Sequence, residues 1–557
     1  MSRKRRNQEQ REAFEELQQR KKRKLEIERE RQDLDGDAGT RTRGRKGNGN
    51  RKNVRRRGRA KPHKVGLSLV VIQAIVSMIF VGMLQIIGII PLKYMAVIII
   101  ILLLLFGLTL FTQLNRRKKA IGGKILSGIL IVVISFSTFY IGKANGALEK
   151  ISGGNYKIDN MVVAVLKDDP AKDIEDTKNY TFGVQYKMGR SDMEAAVQMV
   201  SEKLGTDIDV VEYEDLQKQA EALHDKKVDA IIYNEGYTDN ISESFVGYKK
   251  SVRIIYEHKI KKELASTSVD ASIQEPFSVY ISGIDVYGEI QQTSRSDVNI
   301  IATVNPVTKK VLLTSTPRDY YVPLYSKGGK SYSGGIPDKL THAGIYGVDC
   351  SINTLEKLYN IDIDYYVRVN FTSLKKIVDL LGGVEVYSDY DFISDWGPHG
   401  AGTHYKFKKG YNKVNGKKAL AFCRERHHFA NGDYQRGRDH QHMIEAILNK
   451  VMSPSVLPNF SSLLKESKSM FQTSMSKDKI VSLCNMQLND MAKWKIAYAN
   501  AEGTGAKKTT FSIRSTALYV CEPNYNSVKK ITKRMKKVMK ETKESESSAS
   551  DKNDVIK

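Results

Sequence analysis

The second half of the 557-residue chain carries charged residues that flank apolar, strand-like runs: Asp285, Arg295, Asp297, Arg318, Arg424, Arg426, Arg436 and Arg438. Arginine presents a planar, permanently charged fork that binds two phosphate oxygens at once. Aspartate supplies the oxygen ligands that Mg²⁺ prefers. This combination of arginines and aspartates predicts a site for a pyrophosphate and its metal ion.

Predicted strands position the first part of this set. They cover Phe277–Ile281, Val298–Val304 and Lys310–Thr314, and each has charged groups at one end. Ligands of α/β sheets usually bind at strand ends. The sequence therefore predicts an α/β domain at about 275–500, with the first four charged residues gathered at its strand ends.

The remaining arginines are expected on or beside two helices. One helix begins near Asn415, a residue type that caps helix N-termini well. A longer one is predicted to begin near Arg436, which would place Arg436 and Arg438 in its first turn. Positive side chains are unfavourable beside a helix N-terminus unless an anion is bound there. This placement is a local indication of an anion site.

A separate α/β module is predicted at about 155–262, before the first domain. Strands such as Met161–Leu166 and Val228–Tyr233 alternate with helices at Ser191–Leu204 and Asp215–Lys226. Alternation of this kind is typical of a small layered domain. Its role stays open between a recognition or regulatory module and a spacer.

The N-terminal tail, residues 1–64, holds 24 Lys and Arg against 10 Asp and Glu, so it carries more than half of the net charge of +26. Its composition predicts disorder with a charged helix near Gln8–Gln32. Charge alone, without a recognition helix, does not indicate nucleic-acid binding. The tail is therefore interpreted as a topology signal that is attracted to anionic membrane lipid.

Three apolar runs follow the tail, at 65–90, 95–112 and 125–141. A membrane-spanning helix needs about 20 apolar residues, with about 17 as the lower limit. Positive charge at Arg116–Lys119 and Lys124 places the second connection in the cytoplasm together with the tail. We therefore expect a multi-pass membrane protein whose N-terminus is cytoplasmic and whose chain after about Gly142 is extracytoplasmic.

Four cysteines and a C-terminal extension complete the pattern. Cys350, Cys423, Cys484 and Cys521 permit two disulfides or four buried free thiols, and Cys484–Cys521 is the pair expected if one forms. Residues 501–557 are interpreted as an extension beyond the α/β domain. It holds a basic amphipathic helix at Asn526–Lys540 and a disordered polar end.

Several of these motifs, in this order, resemble the LytR–CpsA–Psr family over roughly 275–452. They are Asp285, Arg295-Ser-Asp297, Pro317-Arg318-Asp319, Lys339-Leu-Thr-His342-Ala, Asn415-Gly-Lys-Lys-Ala-Leu420 and the arginines after Phe422. Spaced motifs in a fixed order are more specific than any one alone. The three predicted spans and the added outer module resemble the capsule-type members.

The resemblance implies an α/β/α domain with a mixed central sheet and an apolar pocket for a polyprenyl chain. It implies a phosphotransferase of Gram-positive cell-wall assembly. This enzyme would move a phosphoglycosyl polymer, such as capsular polysaccharide or teichoic acid, from a polyprenyl-pyrophosphate carrier to peptidoglycan. Asp285 and Asp297 would hold Mg²⁺ (or Mn²⁺), and together with Arg295 and Arg318 they would form the catalytic group.

The resemblance also implies a set of side chains that bind the pyrophosphate: Arg295, Arg318, Arg424, Arg426, Arg436, Arg438, His440 and Gln441. Arg438 alternates with Arg436, so it either binds the phosphate or flanks the site. Family members often carry two glutamines after the arginine step. Here the pair is His440-Gln441, so the first position departs from the pattern.

Two other functions remain open on the sequence. A non-enzymatic sensor or regulator of envelope polysaccharide synthesis would use the outer module and the basic tail, and would not need the arginine–aspartate site. A polyprenyl-pyrophosphate hydrolase would use the same site with water as the acceptor. The sequence leaves open the polymer, the ligand of the outer module, the oligomeric state and the general base.

Overall fold

The computed structural model describes residues 64–114, 121–152, 156–263, 274–284, 286, 290–326, 328–394, 404–430, 432–453, 455, 463, 466 and 470–542. Predictions that fall on other positions lie outside the described residues. These positions include the basic tail up to residue 63, the Arg116–Lys119 connection, Asp285 and the polar end from residue 543 onward.

Three N-terminal helices are long and apolar enough to cross a membrane: α1 (Lys64–Ile87), α2 (Leu92–Leu114) and α3 (Ile121–Ser152). Their apolar segments have mean hydropathies of 2.5, 2.9 and 2.2. Gly88, with φ +70°, follows the end of α1 in the left-handed conformation that glycine adopts readily at this position. The second and third predicted spans lie within α2 and α3, whereas α1 ends at Ile87, before the predicted end of the first span at residue 90. Helix α3 continues beyond residue 141, where the third span was expected to end.

The outer module consists of one sheet and four helices. Its elements are β1 (Tyr156–Leu166), β2 (Thr181–Val184), α4 (Arg190–Leu204), β3 (Asp209–Glu212), α5 (Leu216–His224), β4 (Ala230–Asn234), α6 (Thr238–Ser244), α7 (Tyr248–Ser251) and β5 (Val252–Glu263). The strand order is β3-β2-β4-β1-β5, in which β1 runs antiparallel to both β4 and β5. The predicted strand–helix alternation is therefore present in this segment.

The second part of the chain carries the following strands: β6 (Phe277–Ile284), β7 (Ser296–Asn305), β8 (Lys310–Thr316), β9 (Tyr321–Pro323), β10 (Pro337–Lys339), β11 (Tyr365–Asn370), β12 (Val384–Ser388), β13 (Phe392–Ser394), β14 (Tyr405–Phe407), β15 (Gly410–Val414), β16 (Gln472–Thr473), β17 (Lys495–Asn500), β18 (Gly503–Lys508) and β19 (Leu518–Pro523). Six of them form the central sheet in the order β16-β11-β6-β7-β8-β17. The strands β6, β7 and β8 are antiparallel, whereas β11 and β17 run parallel to their neighbours β6 and β8. The predicted mixed sheet is confirmed.

Helices cover both faces of this sheet: α8 (Ala343–Tyr346), α9 (Val348–Tyr359), α10 (Phe371–Leu380), α11 (Gly416–Arg424), α12 (Gly432–Val451), α13 (Lys477–Asp490) and α14 (Tyr525–Lys540). On one face, Ile301 and Leu312 pack with Leu355 of α9 and Ile531 of α14. On the other face, side chains of the same strands pack with residues of α12 and α13. Successive side chains of a strand point to opposite faces of the sheet, and here apolar side chains lie on both faces. Helices cover each face, so the α/β/α arrangement is confirmed.

Residues 501–540, interpreted from the sequence as an extension, belong to the core of this domain. Cys521 on β19 and Val528 on α14 are buried in the same cluster as Tyr280 of β6. All four cysteines are free thiols. Cys484 packs near Ile87 at the end of α1, in a different cluster from Cys521, so the alternative of a Cys484–Cys521 disulfide is not realised.

The outer module and the α/β/α domain share a hydrophobic cluster. Tyr237 and Ile241, which lie just before and within α6, pack with Ile345 of α8 and Ile513. A polar contact adds to this interface, because Ser515 donates a 2.7 Å hydrogen bond from Oγ to Oδ2 of Asp215. The module is therefore packed directly against the domain that carries the predicted site.

Candidate functional site

An antiparallel strand pair brings Asp297 and Arg318 together. Asn299 of β7 pairs with Thr316 of β8, so the start of β7 lies beside the end of β8. Nη1 of Arg318 donates to Oδ2 of Asp297 over 2.8 Å. Thr341 donates from Oγ1 to the other carboxylate oxygen, Oδ1, over 3.0 Å. Two residues predicted to act together are thus in direct contact.

The electrostatic surroundings keep Asp297 ionised. Burial alone would raise the pKa of this carboxyl, but the positive charges of Arg318, Arg295 and Arg436 outweigh burial and hold the pKa far below its usual range. The Thr341 hydrogen bond acts in the same direction. Asp297 is therefore a partly buried carboxylate anion near several guanidinium groups over the whole physiological pH range.

Arg295 is bound by carboxylates of the outer module. Its Nη1 donates to Oε1 of Glu243 over 2.6 Å, and its Nη2 donates to Oδ2 of Asp239 over 2.9 Å. Asp239 and Glu243 are four residues apart on α6, so their side chains lie on one face of the helix. The side chain of Arg295 is only 9% exposed. In this arrangement both terminal nitrogens of the arginine are occupied by carboxylates of the protein itself.

Lys339 links this contact to Arg318. Its Nζ lies 2.7 Å from Oε2 of Glu243 and 3.5 Å from Oδ1 of Asp319. Oδ2 of Asp319 in turn lies 3.4 Å from Nε of Arg318. A series of alternating charges therefore runs from Arg295 through Glu243 and Lys339 to Asp319 and Arg318.

Asp239 and Glu243 carry no sequence signal that marks them as site residues. Acidic residues four apart on a short helix are common on protein surfaces, and nothing in their spacing indicates a partner in another domain. For Lys339, the sequence left open a contact with phosphate or a structural role in its loop. Its contact with Glu243 joins residues 96 apart in sequence, which only the tertiary fold reveals.

Helix α12 brings a further arginine to this group. Nη2 of Arg436 lies 3.0 Å from Oδ1 of Asp433, and Nη1 of Arg426 lies 4.0 Å from the same oxygen. Burial lowers the pKa of Arg436; the anion Asp433 opposes this shift, whereas the nearby cation Arg318 adds to it. Arg436 is thus a buried cation held close to Arg318.

The start of α12 differs from the prediction. The helix begins at Gly432, so Arg436 and Arg438 lie in its second turn rather than in its first. Asp433 occupies the first turn, where a negative charge interacts favourably with the helix dipole. The argument that these arginines lie at a bare helix N-terminus is therefore wrong. Arg436 obtains its anion from Asp433 one turn earlier.

A glycine between the two arginines allows α12 to approach β8 closely. A Cβ atom on Gly437 would lie 2.9 Å from Oγ of Ser315, near the end of β8. That distance is shorter than an unstrained carbon–oxygen contact, so a larger residue would require the Ser315 side chain or the helix to shift. The sequence Arg436-Gly-Arg438 therefore matches the geometry of the site, with the glycine turned toward the strand that leads to Arg318.

Arg424 and Arg438 make contacts of a different kind. The guanidinium of Arg424 lies 4.5 Å from the ring centroid of Phe371, within the range of a cation–π interaction. Arg438 is half exposed, and its Nε lies 3.2 Å from Oδ2 of Asp389. Of the two alternatives left open for Arg438, this exposed pairing with Asp389 agrees with a flanking position.

The side chains of His440 and Gln441 are turned toward the protein backbone. Nε2 of His440 lies 2.9 Å from the carbonyl oxygen of Cys423, and burial lowers the pKa of this histidine to about 4. The ring is therefore neutral at pH 7, and its proton lies on Nε2, because a carbonyl can only accept. Nε2 of Gln441 donates to the carbonyl oxygens of Leu313 and Ala499, both over 2.9 Å. The donors expected to bind phosphate are thus used within the fold.

The chemistry of the donor set was tested against the predicted metal ion. Asp297 supplies an ionised carboxylate, which suits Mg²⁺. Ile284, the last described residue before Asp285, pairs with Ser296 at the start of β7. Among the described residues, no group of three or more His, Cys, Asp or Glu side chains is arranged to hold a metal. A Mg²⁺ ion held by Asp297 would therefore complete its coordination with other oxygen ligands, such as Asp285, substrate phosphate or water.

Comparison with known proteins decides the family. A sequence model of the LytR_cpsA_psr family matches residues 244–537, which is more than half of the chain. The chain belongs to the LytR_cpsA_psr family. The match begins one residue after Glu243, so the family pattern covers the α/β/α domain and leaves most of the outer module outside.

Several relatives of the chain carry the name of a teichoic acid transferase. It is 33% identical over 229 residues to the polyisoprenyl-teichoic acid–peptidoglycan teichoic acid transferase TagU of Bacillus licheniformis, covering 41% of this chain and 69% of that protein. It is 34% identical over 240 residues to TagU of Enterococcus faecalis, covering 42% and 70%. The crystal structure of B. subtilis TagV aligns with 26% identity and a TM-score of 0.39, over 48% of this chain and 99% of that one.

Proposed function

We propose that this protein is a membrane-anchored transferase that moves a phosphoglycosyl polymer from a polyprenyl-pyrophosphate carrier to peptidoglycan. The observation that carries the proposal is the Arg318–Asp297 pair, largely shielded from solvent at the strand ends near Arg436. Two TagU relatives that are named as polyisoprenyl-teichoic acid–peptidoglycan transferases support the substrate class.

The arginine group suits the charge changes of such a reaction. A hydroxyl of the acceptor attacks the phosphorus that bears the sugar, and the polyprenyl monophosphate leaves with the electron pair of the broken P–O bond. Negative charge grows on the leaving phosphate during this step. Fixed guanidinium groups in a site shielded from water stabilise that charge strongly, because they need little reorganisation. We assign this role to Arg318 and Arg436, with Arg426 at the outer side.

We also propose that Asp297 and Asp285 hold Mg²⁺ (or Mn²⁺) when the carrier is bound. When present, the metal would neutralise charge on the pyrophosphate oxygens. Support comes from the ionised state of Asp297. Its Oδ2 already accepts from Arg318, so the arginine orients the carboxylate as well as compensating its charge.

We infer the orientation in the membrane from charge. Arg116–Lys119 and the basic tail are expected on the cytoplasmic side, so we propose that the α/β/α domain lies outside the cell, where peptidoglycan is assembled. The packing of α13 near the end of α1 keeps the domain close to the membrane surface. The carrier lipid lies in that membrane, so enzyme and substrate share one interface.

The test uses the full-length protein in lipid nanodiscs, with a polyprenyl-pyrophosphate-linked oligosaccharide, Mg²⁺ and peptidoglycan fragments. Wild type is expected to attach the sugar to peptidoglycan, and Arg318→Ala to lose this activity. Arg438→Ala serves as the matched control, because that arginine is half exposed and paired with Asp389. Attachment that survives in Arg318→Ala would contradict the assignment of the site.

Omission of peptidoglycan separates transfer from hydrolysis. A transferase leaves most of the carrier intact without an acceptor, whereas a hydrolase consumes it at the same rate in both conditions. Equal consumption would establish the hydrolase. If wild-type protein neither binds nor consumes any of several carrier lipids, the enzymatic function is refuted and a sensor function is favoured.

A further inference from the structure

Helix α6 of the outer module contributes anions to two buried cations of the site. The side chains of Arg295 and Lys339 are 9% and 5% exposed. A buried cation is strongly destabilising unless an anion compensates it. Glu243 contacts both cations, with Oε1 at 2.6 Å from Nη1 of Arg295 and Oε2 at 2.7 Å from Nζ of Lys339. Asp239 contacts the second terminal nitrogen of Arg295 at 2.9 Å.

The position of α6 relative to the site is fixed by apolar contacts. Ile241 is completely buried in a cluster with Ile345 of α8. One residue before Ile345, a Cβ on Gly344 would lie 2.6 Å from the backbone nitrogen of Ser296, so α8 rests directly on the chain that follows Arg295. The helix that supplies Glu243 and the segment that supplies Arg295 are therefore joined through α8 as well as through their ion pairs.

Glu243 is an anion in this environment. Burial would raise the pKa of its carboxyl, but Lys339, His342 and Arg295 outweigh burial and lower the pKa. Both of its oxygens are engaged by cations, and each of these cations leads on to the reaction centre. Lys339 contacts Asp319, which lies beside Arg318, and Arg295 contributes to the field around Asp297.

We propose, on the basis of the proposed function, that the outer module completes the catalytic site: Glu243 and Asp239 are positioning residues that hold Arg295 and Lys339 against the Arg318–Asp297 pair. Held in this way, Arg295 contributes its positive charge to the surroundings of Asp297. The module is accordingly neither a spacer nor an independent domain. Asp239 and Glu243 lie just before residues 244–537, which the family model matches. In this proposal they set the geometry of the site around Arg318 and Asp297.

The removal of one charge tests this role. Glu243→Gln keeps the size of the side chain but leaves Lys339 and one nitrogen of Arg295 without their anion. We expect kcat for transfer to fall by about tenfold to a hundredfold, as is typical when a catalytic group is displaced by a fraction of an ångström to an ångström. The KM for the carrier is expected not to rise, because the substitution makes the site more positive.

The experiment uses full-length protein in nanodiscs, and Glu221→Gln is the matched control. Glu221 lies in the same module, in an exposed i,i+3 pair with Lys218, and plays no part in the site. Glu243→Gln is also combined with Lys339→Met. If Glu243 acts by positioning Lys339, the double variant loses less activity than the product of the two single losses. If the contact is merely structural, the single substitutions lower the melting temperature, but their effects on kcat are independent of each other.

Each outcome has a defined meaning. If wild type transfers and Glu243→Gln transfers at the same rate, the proposal is overturned. Faster transfer or a lower KM with full kcat would also overturn it, because the helix would then compete with the pyrophosphate for Arg295. If Glu243→Gln does not fold, Asp239→Asn, which takes the negative charge from the second terminal nitrogen of Arg295 and from the exposed Lys249, is expected to lower kcat in the same direction. Inactive wild type would refute the proposed function as well, so the two failures are distinguishable.

Discussion

Asp297 and Arg318 meet across two antiparallel strands, with 2.8 Å between Oδ2 of the aspartate and Nη1 of the arginine. The two residues are 21 apart in sequence, and the β7–β8 pairing alone brings them into contact. Asp297 is also bonded to Thr341, so both of its oxygens have partners. This pair is the centre of the charge network that extends to the outer module.

The geometry of Arg318 predicts that a positive charge at this position is not sufficient for transfer activity. Arg318→Lys keeps a cation, but it loses the fork that places Nη1 on Asp297 and Nε beside Asp319. We expect transfer to fall by about a hundredfold or more, in line with the loss of one preorganised donor. Arg438→Lys, at the exposed position, is expected to retain nearly full activity. Equal activities of the two variants in a steady-state transfer assay would refute this prediction.

The Thr341 hydroxyl is predicted to matter for the metal ion. Thr341→Val removes the hydrogen bond to Oδ1 of Asp297 and keeps the shape of the side chain. The carboxylate then loses one of its orienting contacts, so a higher Mg²⁺ concentration should be needed for half-maximal transfer. Thr341→Ser retains the hydroxyl and is expected to behave like wild type. Identical Mg²⁺ dependence of the valine and serine variants would show that the hydroxyl has no such role.

The titration of Asp439 is predicted to make the free energy of unfolding depend measurably on pH. Burial raises the pKa of this carboxyl from 3.8 to about 8, and its Oδ2 has no hydrogen-bond partner among the described residues. The folded state therefore holds a proton between these values that the unfolded state has lost. It follows that unfolding free energy decreases as pH rises through this window, by up to about 1.4 kcal/mol per pH unit.

Asp439→Asn removes this titration. The difference between the melting temperatures of the variant and of wild type should shift in favour of the variant as the pH is raised from 5 to 8. The exposed carboxylate Asp225, paired with Lys227, gives the control Asp225→Asn, for which little change is expected. Parallel melting curves for wild type and Asp439→Asn over this pH range would contradict the prediction.

Gln441 is predicted to stabilise the sheet. Gln441→Leu leaves the carbonyls of Leu313 and Ala499 without their shared donor, at a cost of roughly 1–3 kcal/mol. The melting temperature should fall, while the remaining folded protein binds the carrier with unchanged affinity. If the variant instead melts like wild type and loses affinity for the carrier, Gln441 binds the pyrophosphate, as the family resemblance implied.

Sequence patterns were sufficient for the elements that end at the site. The apolar runs at 277–281, 298–304 and 310–314 lie within the strands of the central sheet, because apolar side chains on both faces of a strand indicate burial between two helical layers. The motifs that contain Asp297 and Arg318 also indicated a shared role. Their contact follows from strand pairing, which short connections between neighbouring strands favour.

Other features depend on the tertiary structure. The partners of Arg295 lie 52 and 56 residues earlier, in a module whose position no local pattern encodes. The directions of the His440 and Gln441 side chains follow from how α12 rests on β8, where Gly437 permits close approach. The end of the domain was misplaced because α14 is strongly basic on its outer face. Its buried residues Val528, Ile531 and Met535 join the core all the same.

The most direct test follows the two phosphorus atoms of the carrier. A polyprenyl-pyrophosphate oligosaccharide labelled only in the phosphate that bears the sugar is incubated with full-length protein, Mg²⁺ and peptidoglycan. The account predicts that the label becomes covalently attached to peptidoglycan together with the sugar, and that unlabelled polyprenyl monophosphate is released. Sugar attached to peptidoglycan while the label stays on the lipid would contradict phosphoglycosyl transfer at this site.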